Sequence, residues 1–265
     1  MSTTAPMTLD VSGTPGIPFS RLFQVELRKT VDTRAGRWLV GITAGLALLA
    51  DVIFLIVVVT KDIATSYGEF VAGAAFLTQA LLPILGIMLV TSEWSQRTAM
   101  TTFALEPRRM RVVLAKMLAG ISLTAFVVVF ALAVGLVCNL LYAALQGQSP
   151  DWTFGWTGFT GFVVNQTFAM LGGFAMACLL LSSPAAIVVF VVYKWVLPIP
   201  FALGAVLMSW FDKVVGWIDF QSAQAQLYDG GLSATQWGQL VVSGFLWLVV
   251  PLAIGLWRIR RAEVK

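Results

Sequence analysis

Side chains able to carry charge are scarce in this sequence, and the densest group lies in one stretch, Thr91–Lys116 (TSEWSQRTAMTTFALEPRRMRVVLAK). It holds Glu93 and Glu106 together with Arg97, Arg108, Arg109, Arg111 and Lys116, between two long apolar runs. Carboxylates and guanidinium groups at that density form ion pairs and dock onto charged surfaces. The segment is too long for a minimal turn and too basic for hydrocarbon, so it reads as a structure at a membrane surface that touches a partner. Imidazole chemistry is excluded, because the chain has no histidine, which also removes the commonest metal ligand. The two cysteines, Cys138 and Cys178, lie inside apolar runs predicted to end near opposite membrane faces. A disulfide, which needs Cα atoms within roughly 7 Å, is not expected, and no Cys/His cluster marks a metal site.

Two further ionisable residues, Asp51 and Lys194, fall within apolar runs. A charge at membrane depth costs roughly 2.5–3.5 kcal/mol on insertion scales. The two lie at depths a lysine side chain can bridge, so the sequence predicts that they pair, within one chain or between two copies. A polar point in a transport pathway and a purely structural pair both fit.

The elements that position these residues are helices. The chain has 265 residues, 58% of them hydrophobic and 11% charged, against roughly 45–50% and 25% in a soluble domain. This is the composition of a polytopic membrane protein, in which each spanning helix needs roughly 20 apolar residues. Six spans are predicted, at about 38–59, 70–90, 117–145, 156–181, 184–210 and 237–257. Ser182-Ser183-Pro184 separates the fourth from the fifth, since proline suits the first turn of a helix. With six spans, the basic residues fall on one side: five in the flank before span one, five in 91–116 and four at the C-terminus, fourteen of seventeen. The positive-inside rule then places both termini and 91–116 in the cytoplasm. Trp38, Trp94 and Trp257 fall near the inner boundaries, and Trp152, Trp156, Trp210 and Trp237 near the outer ones.

Residues 1–18, rich in Ser, Thr, Pro and Gly, read as a disordered tail without the basic start and apolar run of a signal peptide. Residues 19–265 form a single transmembrane domain. It begins with residues 19–36, where Phe19, Leu22, Phe23, Leu27 and Val31 recur at helical spacing. This predicts an amphipathic helix lying in the interface. Residues 211–236 are too polar to span and too apolar for a free loop, and predict one or two short helices at the outer side. Gly41 and Gly45 form a GxxxG in span one and Gly172-Gly173 a pair in span four, both suited to close helix packing. Pro83, Pro198, Pro200 and Pro251 are expected to kink or break spans two, five and six. The fold class is therefore all-α: a six-span bundle with an N-terminal interfacial helix, a cytoplasmic helix between spans two and three, and short outer helices between spans five and six.

That plan resembles the ABC-2 type permease family, the membrane subunits of ATP-binding-cassette exporters. The resemblance runs from about Phe19 to the C-terminus and is sharpest at Glu93, Thr98, Pro107, Arg108–Arg109, Val112–Val113–Leu114 and Lys116. The family commonly has Gly where this chain has Arg97. The resemblance implies a coupling helix near 98–105 docking into a separate ATPase. Glu93, Arg97, Thr98, Met100, Phe103, Leu105, Pro107, Arg108 and Arg109 would form or flank that contact. Met100, Phe103 and Leu105 would offer the apolar knob, and the arginines rim pairs or headgroup contacts.

The chain lacks GxxxxGK[ST], so it has no phosphate-cradling loop of its own and is not expected to be an enzyme. ATP and Mg would be bound by the partner, with two ATPase subunits and a second permease copy or related permease per complex, surrounded by lipids and without nucleic acid. The plasma membrane is the implied location. Apolar walls suit a hydrophobic or amphiphilic cargo such as a drug, lipid or lipopeptide, moved out of the cytoplasm or inner leaflet. A non-transporting accessory or immunity subunit is an alternative. A membrane-embedded lipid enzyme fits less well, for want of histidine and clustered acids.

Overall fold

A computed structural model describes residues 16–96, 98–228 and 230–261. Arg97, Asp229, residues 262–265 and residues 1–15 of the tail expected over 1–18 lie outside the described residues. Everything regular within them is helical, and six helices are long and apolar enough to cross a membrane. This is the architecture of a multi-pass membrane protein.

Helix α1 (Phe19–Asp32) is followed at once by α2 (Arg34–Lys61), the first span. Thr33 makes the break: its backbone is extended, and its hydroxyl accepts the Gly36 amide at 3.2 Å, capping α2. Gly36 has no alternative there, because a side chain would overlap the Thr30 carbonyl oxygen. Span two is α3 (Tyr67–Ser95). Glu69 sets its start by accepting from the Ser66 amide and the Thr65 hydroxyl. Pro83 sits inside α3 without ending it. A short helix α4 (Ala99–Leu105) leads to α5 (Arg109–Gln146), the third span. Its 38 residues extend about 57 Å, far more than the bilayer core. The residues 109–116, expected to lie before the span, are its first two turns.

Helix α6 (Gly155–Leu180) is span four, and Leu181 ends it in the left-handed conformation. Span five, Ser183–Leu207, follows directly. The Ser-Pro boundary is where the sequence places it, with Pro184 in the first turn of α7 (Ser183–Val191). A wide π-helical turn at Val192–Val196 then interrupts span five before α8 (Pro198–Leu207). The irregularity therefore precedes Pro198-Ile-Pro200, which opens α8 and does not end the span. Between spans five and six lie α9 (Ser209–Ile218), α10 (Phe220–Ala225) and a single 3-10 turn. Span six is Ala234–Arg261, made of α11 (Ala234–Gly244), a second π-helical turn at Phe245–Val249 and α12 (Val250–Arg261).

The centre of the bundle is the contact between α3 and α6. It is close because a side chain at Gly173 would overlap the Pro83 carbonyl oxygen, and one at Gly86 the Met170 carbonyl oxygen. Fully buried Leu82, Ile87, Met170 and Phe174 fill the space around it. Such close approach is the main source of helix association in lipid, where hydrophobic driving force is absent. Gly41 and Gly45 do the opposite: both are exposed and face nothing among the described residues.

Candidate functional site: a charged hub at the basic end

The charges of Thr91–Lys116 do not spread over a surface. Four of the side chains that matter converge between α1, α3 and α5. Lys116 donates to Glu26 at 2.6 Å and lies 3.1 Å from Glu93. Lys29 donates to Glu26 at 2.7 Å and to Glu93 at 2.9 Å. Two carboxylates and two ammonium groups thus form a closed, neutral set. Glu26, Glu93 and Lys116 are buried, and only Lys29 reaches solvent. Burial works against the charge on Lys29, but its hydrogen bonds and attraction to Glu26 and Glu93 outweigh it, holding the ammonium above its ordinary range. Buried charges are tolerated in such places only when paired and hydrogen-bonded.

The hub holds α4. The Thr102 hydroxyl donates to Glu93 at 3.0 Å, and the Thr98 amide donates to the Glu93 carbonyl at 2.9 Å. Helix α4 ends at Leu105 because the residue before a proline is pushed out of helical conformation, and Glu106 is indeed extended. Its buried carboxylate accepts from Arg111 at 2.8 Å and from the Arg108 amide at 3.3 Å. Arg111 also donates to the Ile17 carbonyl at 2.8 Å, before α1. Arg109 lies over the Phe103 ring, 5.0 Å from its centroid, and donates to the Ile259 carbonyl at 2.7 Å. That carbonyl belongs to the last turn of α12, where orphan acceptors favour a cation. Helix α4 is thereby tied to α1, α3, α5 and α12.

Several expected contact residues are placed differently by this arrangement. Glu93 is buried at the heart of the hub and presents nothing outward. Phe103 is turned in, between Arg109 and Trp94, whose ring lies 6.4 Å away, and it is not part of an exposed knob. Met100 and Leu105 are the outward apolar pair, 55% and 70% exposed. Thr98, Pro107 and Arg108 are exposed, Arg109 is half-buried, and Arg97 lies outside the described residues. Lys116, which the sequence places in the charged stretch before span three, is a buried member of the hub.

Glu26 and Lys29 are the hub members not singled out from sequence. One signal was present. Glu26 stands four residues after Leu22 and seven after Phe19, so it falls on the apolar stripe of its helix, where an unpaired carboxylate is costly.

The two intramembrane charges do not pair within the chain, which corrects that expectation for a single copy. Lys194 sits in the π-helical turn of span five and donates to Gln221 at 2.6 Å and to Gln79 at 3.4 Å. Asp51, fully buried on α2, faces Gly73 of α3, and neither carboxylate oxygen has a hydrogen-bond partner among the described residues. The spacing argument treated both spans as regular helices. The π-helical turn and the return of α10 into the bundle bring two glutamines to Lys194 instead. Tyr193 and Trp247, from the two π-helical turns, pack with ring centroids 4.6 Å apart. The cavity beside Lys194 measures about 10 Å³, room for about one water.

A far larger cavity, about 970 Å³, adjoins the hub between α1, the start of α2, the end of α3 and α4.

No model of a known protein family matches this chain, and no curated protein matches it either.

Proposed function

We propose that this protein is the membrane permease subunit of an ABC-2 type exporter. It would be powered by a separate ATPase and carry a hydrophobic or amphiphilic substrate out of the cytoplasm or inner leaflet. The observation that carries the reading is the wiring of α4. A short helix with Met100 and Leu105 facing outward is held to α1, α3, α5 and α12 by a buried ion-pair hub and the Arg109 bridge. A helix held this rigidly transmits a push from a soluble partner to spans two, three and six together. An exposed apolar pair is what a partner groove would take. On this reading α1 lies in the inner interface and α4 is the coupling helix. The basic end, which carries both termini, faces the cytoplasm, in line with the charge asymmetry. ATP and Mg belong to the two ATPase subunits, and a second permease copy completes the pathway in the plasma membrane.

The test is copurification with candidate ATPases. Met100→Asp with Leu105→Asp is expected to lower complex yield and substrate-stimulated ATP hydrolysis at least tenfold, with the fold and melting temperature of the permease unchanged. Undiminished complex with the double variant would overturn the docking assignment.

A further inference from the structure

The 970 Å³ cavity is large for a ligand site, which usually measures about 300–1,000 Å³. Its inner wall is apolar, formed by Leu39 of α2 and Leu85, Met88 and Leu89 of α3. Leu85 lies ten residues before the end of α3, so the cavity reaches about 15 Å along that span. Its mouth is polar, with Arg21, Thr30 and Gln96. The electrostatics of the wall are settled by the hub. The lining carboxylates are already matched, Glu26 and Glu93 by Lys29 and Lys116, and Glu106 by Arg111. Arg21 is left as the lining charge with no ion pair among the described residues. It is exposed and lies on the same face of α1 as Val25 and Lys29, at helical spacings of four.

From this we infer that the cavity binds a single-chain anionic amphiphile, its alkyl chain along Leu39, Leu85 and Met88 and its phosphate or carboxylate at Arg21. A guanidinium matches the geometry of such a head in two parallel hydrogen bonds. A zwitterionic head brings a second cation to a mouth that, among the described residues, has no unmatched carboxylate to receive it. The site needs neither a nucleotide nor an ATPase, so it stands or falls independently of the transport assignment.

The test uses the full-length protein in phosphatidylcholine nanodiscs. Lysophosphatidylglycerol and lysophosphatidylcholine of the same acyl chain compete for it, read by native mass spectrometry. Both heads carry a phosphate for Arg21, so the preference rests on the choline cation beside it, and the wild type is expected to prefer the anionic lipid about two- to fivefold, the scale of one exposed charge–charge contact. Arg21→Gln is expected to abolish the preference and Arg21→Lys to keep part of it. Met88→Trp, which fills the inner wall, is expected to weaken binding of both lipids. Equal binding of the two headgroups by the wild type would overturn the inference, as would a preference that survives Arg21→Gln. Because Arg21 is exposed, its variants fold, and they decide the question even if Met88→Trp does not.

Discussion

Breaking the charged hub at Lys116 tests whether the basic end is held as described. Lys116→Met keeps the length and apolar stem of the side chain and removes its ammonium group. Glu26, 1% exposed, then keeps only Lys29, and Glu93 is left with Lys29 and Thr102. Removing one partner of a buried pair costs about 3–5 kcal/mol, because the remaining charge stays buried and uncompensated. Lys29 still reaches both carboxylates, at 2.7 and 2.9 Å, so the expected loss is at the low end, about 3 kcal/mol. That is about a hundredfold in the folding equilibrium. Combining it with Glu26→Gln removes the stranded charge and should recover part of the loss, giving a coupling energy of about 1–3 kcal/mol. Arg111→Gln is the comparison: it leaves the buried Glu106 carboxylate with the Arg108 amide, so a smaller loss of about 1–3 kcal/mol is expected. Unfolding titrations in mixed micelles, followed by tryptophan fluorescence, measure these three variants and Glu26→Gln alone, which the coupling energy requires. A loss below about 1 kcal/mol for Lys116→Met, or costs that simply add in the double variant, would refute a closed, buried hub.

Three further outcomes follow from the same geometry. Gly173→Ala should destabilise the bundle by about 1–3 kcal/mol or more in the same titration, since the added methyl meets the Pro83 backbone and not a movable side chain. Asp51→Leu should stabilise it by about 1 kcal/mol or more, because both buried oxygens lack partners among the described residues of a single copy. A loss of stability or of self-association would instead show that Asp51 pairs with a second copy. The contribution of Lys29 should be constant below pH 10.5, the ordinary lysine value, and fall as pH rises above it, because pairing raises its pKa in the folded state. Lys29→Met should remove that alkaline fall from the stability–pH profile.

The placement of spans was legible in the sequence because it depends on one-dimensional quantities: how long an apolar run is, and on which side the arginines and lysines fall. The Ser182–Pro184 boundary and the tightness around Gly173 were readable from local residue types, whereas a helix near 98–105 was expected from the family resemblance. What each charged residue does was not. Glu93 and Phe103 sit in a segment that reads as a surface structure presenting both outward, yet both turn inward, because α1 folds back to supply Glu26 and Lys29 and α12 ends beside Arg109. Asp51 and Lys194 match in depth on regular helices, but the π-helical turn at Val192–Val196 and the return of α10 give Lys194 two glutamines.

By itself, then, the sequence determined an all-helical, six-span membrane chain with its basic residues gathered at one end. Solvation dictates that much: hydrocarbon admits long apolar helices and rejects charge. Only the tertiary structure decided which charges neutralise one another and which remain exposed. Pairing depends on distances between helices remote in sequence, such as the 90 residues separating Glu26 from Lys116. Thr91–Lys116 is in consequence less a charged surface than the wiring that fixes a small outward-facing helix to the spans behind it.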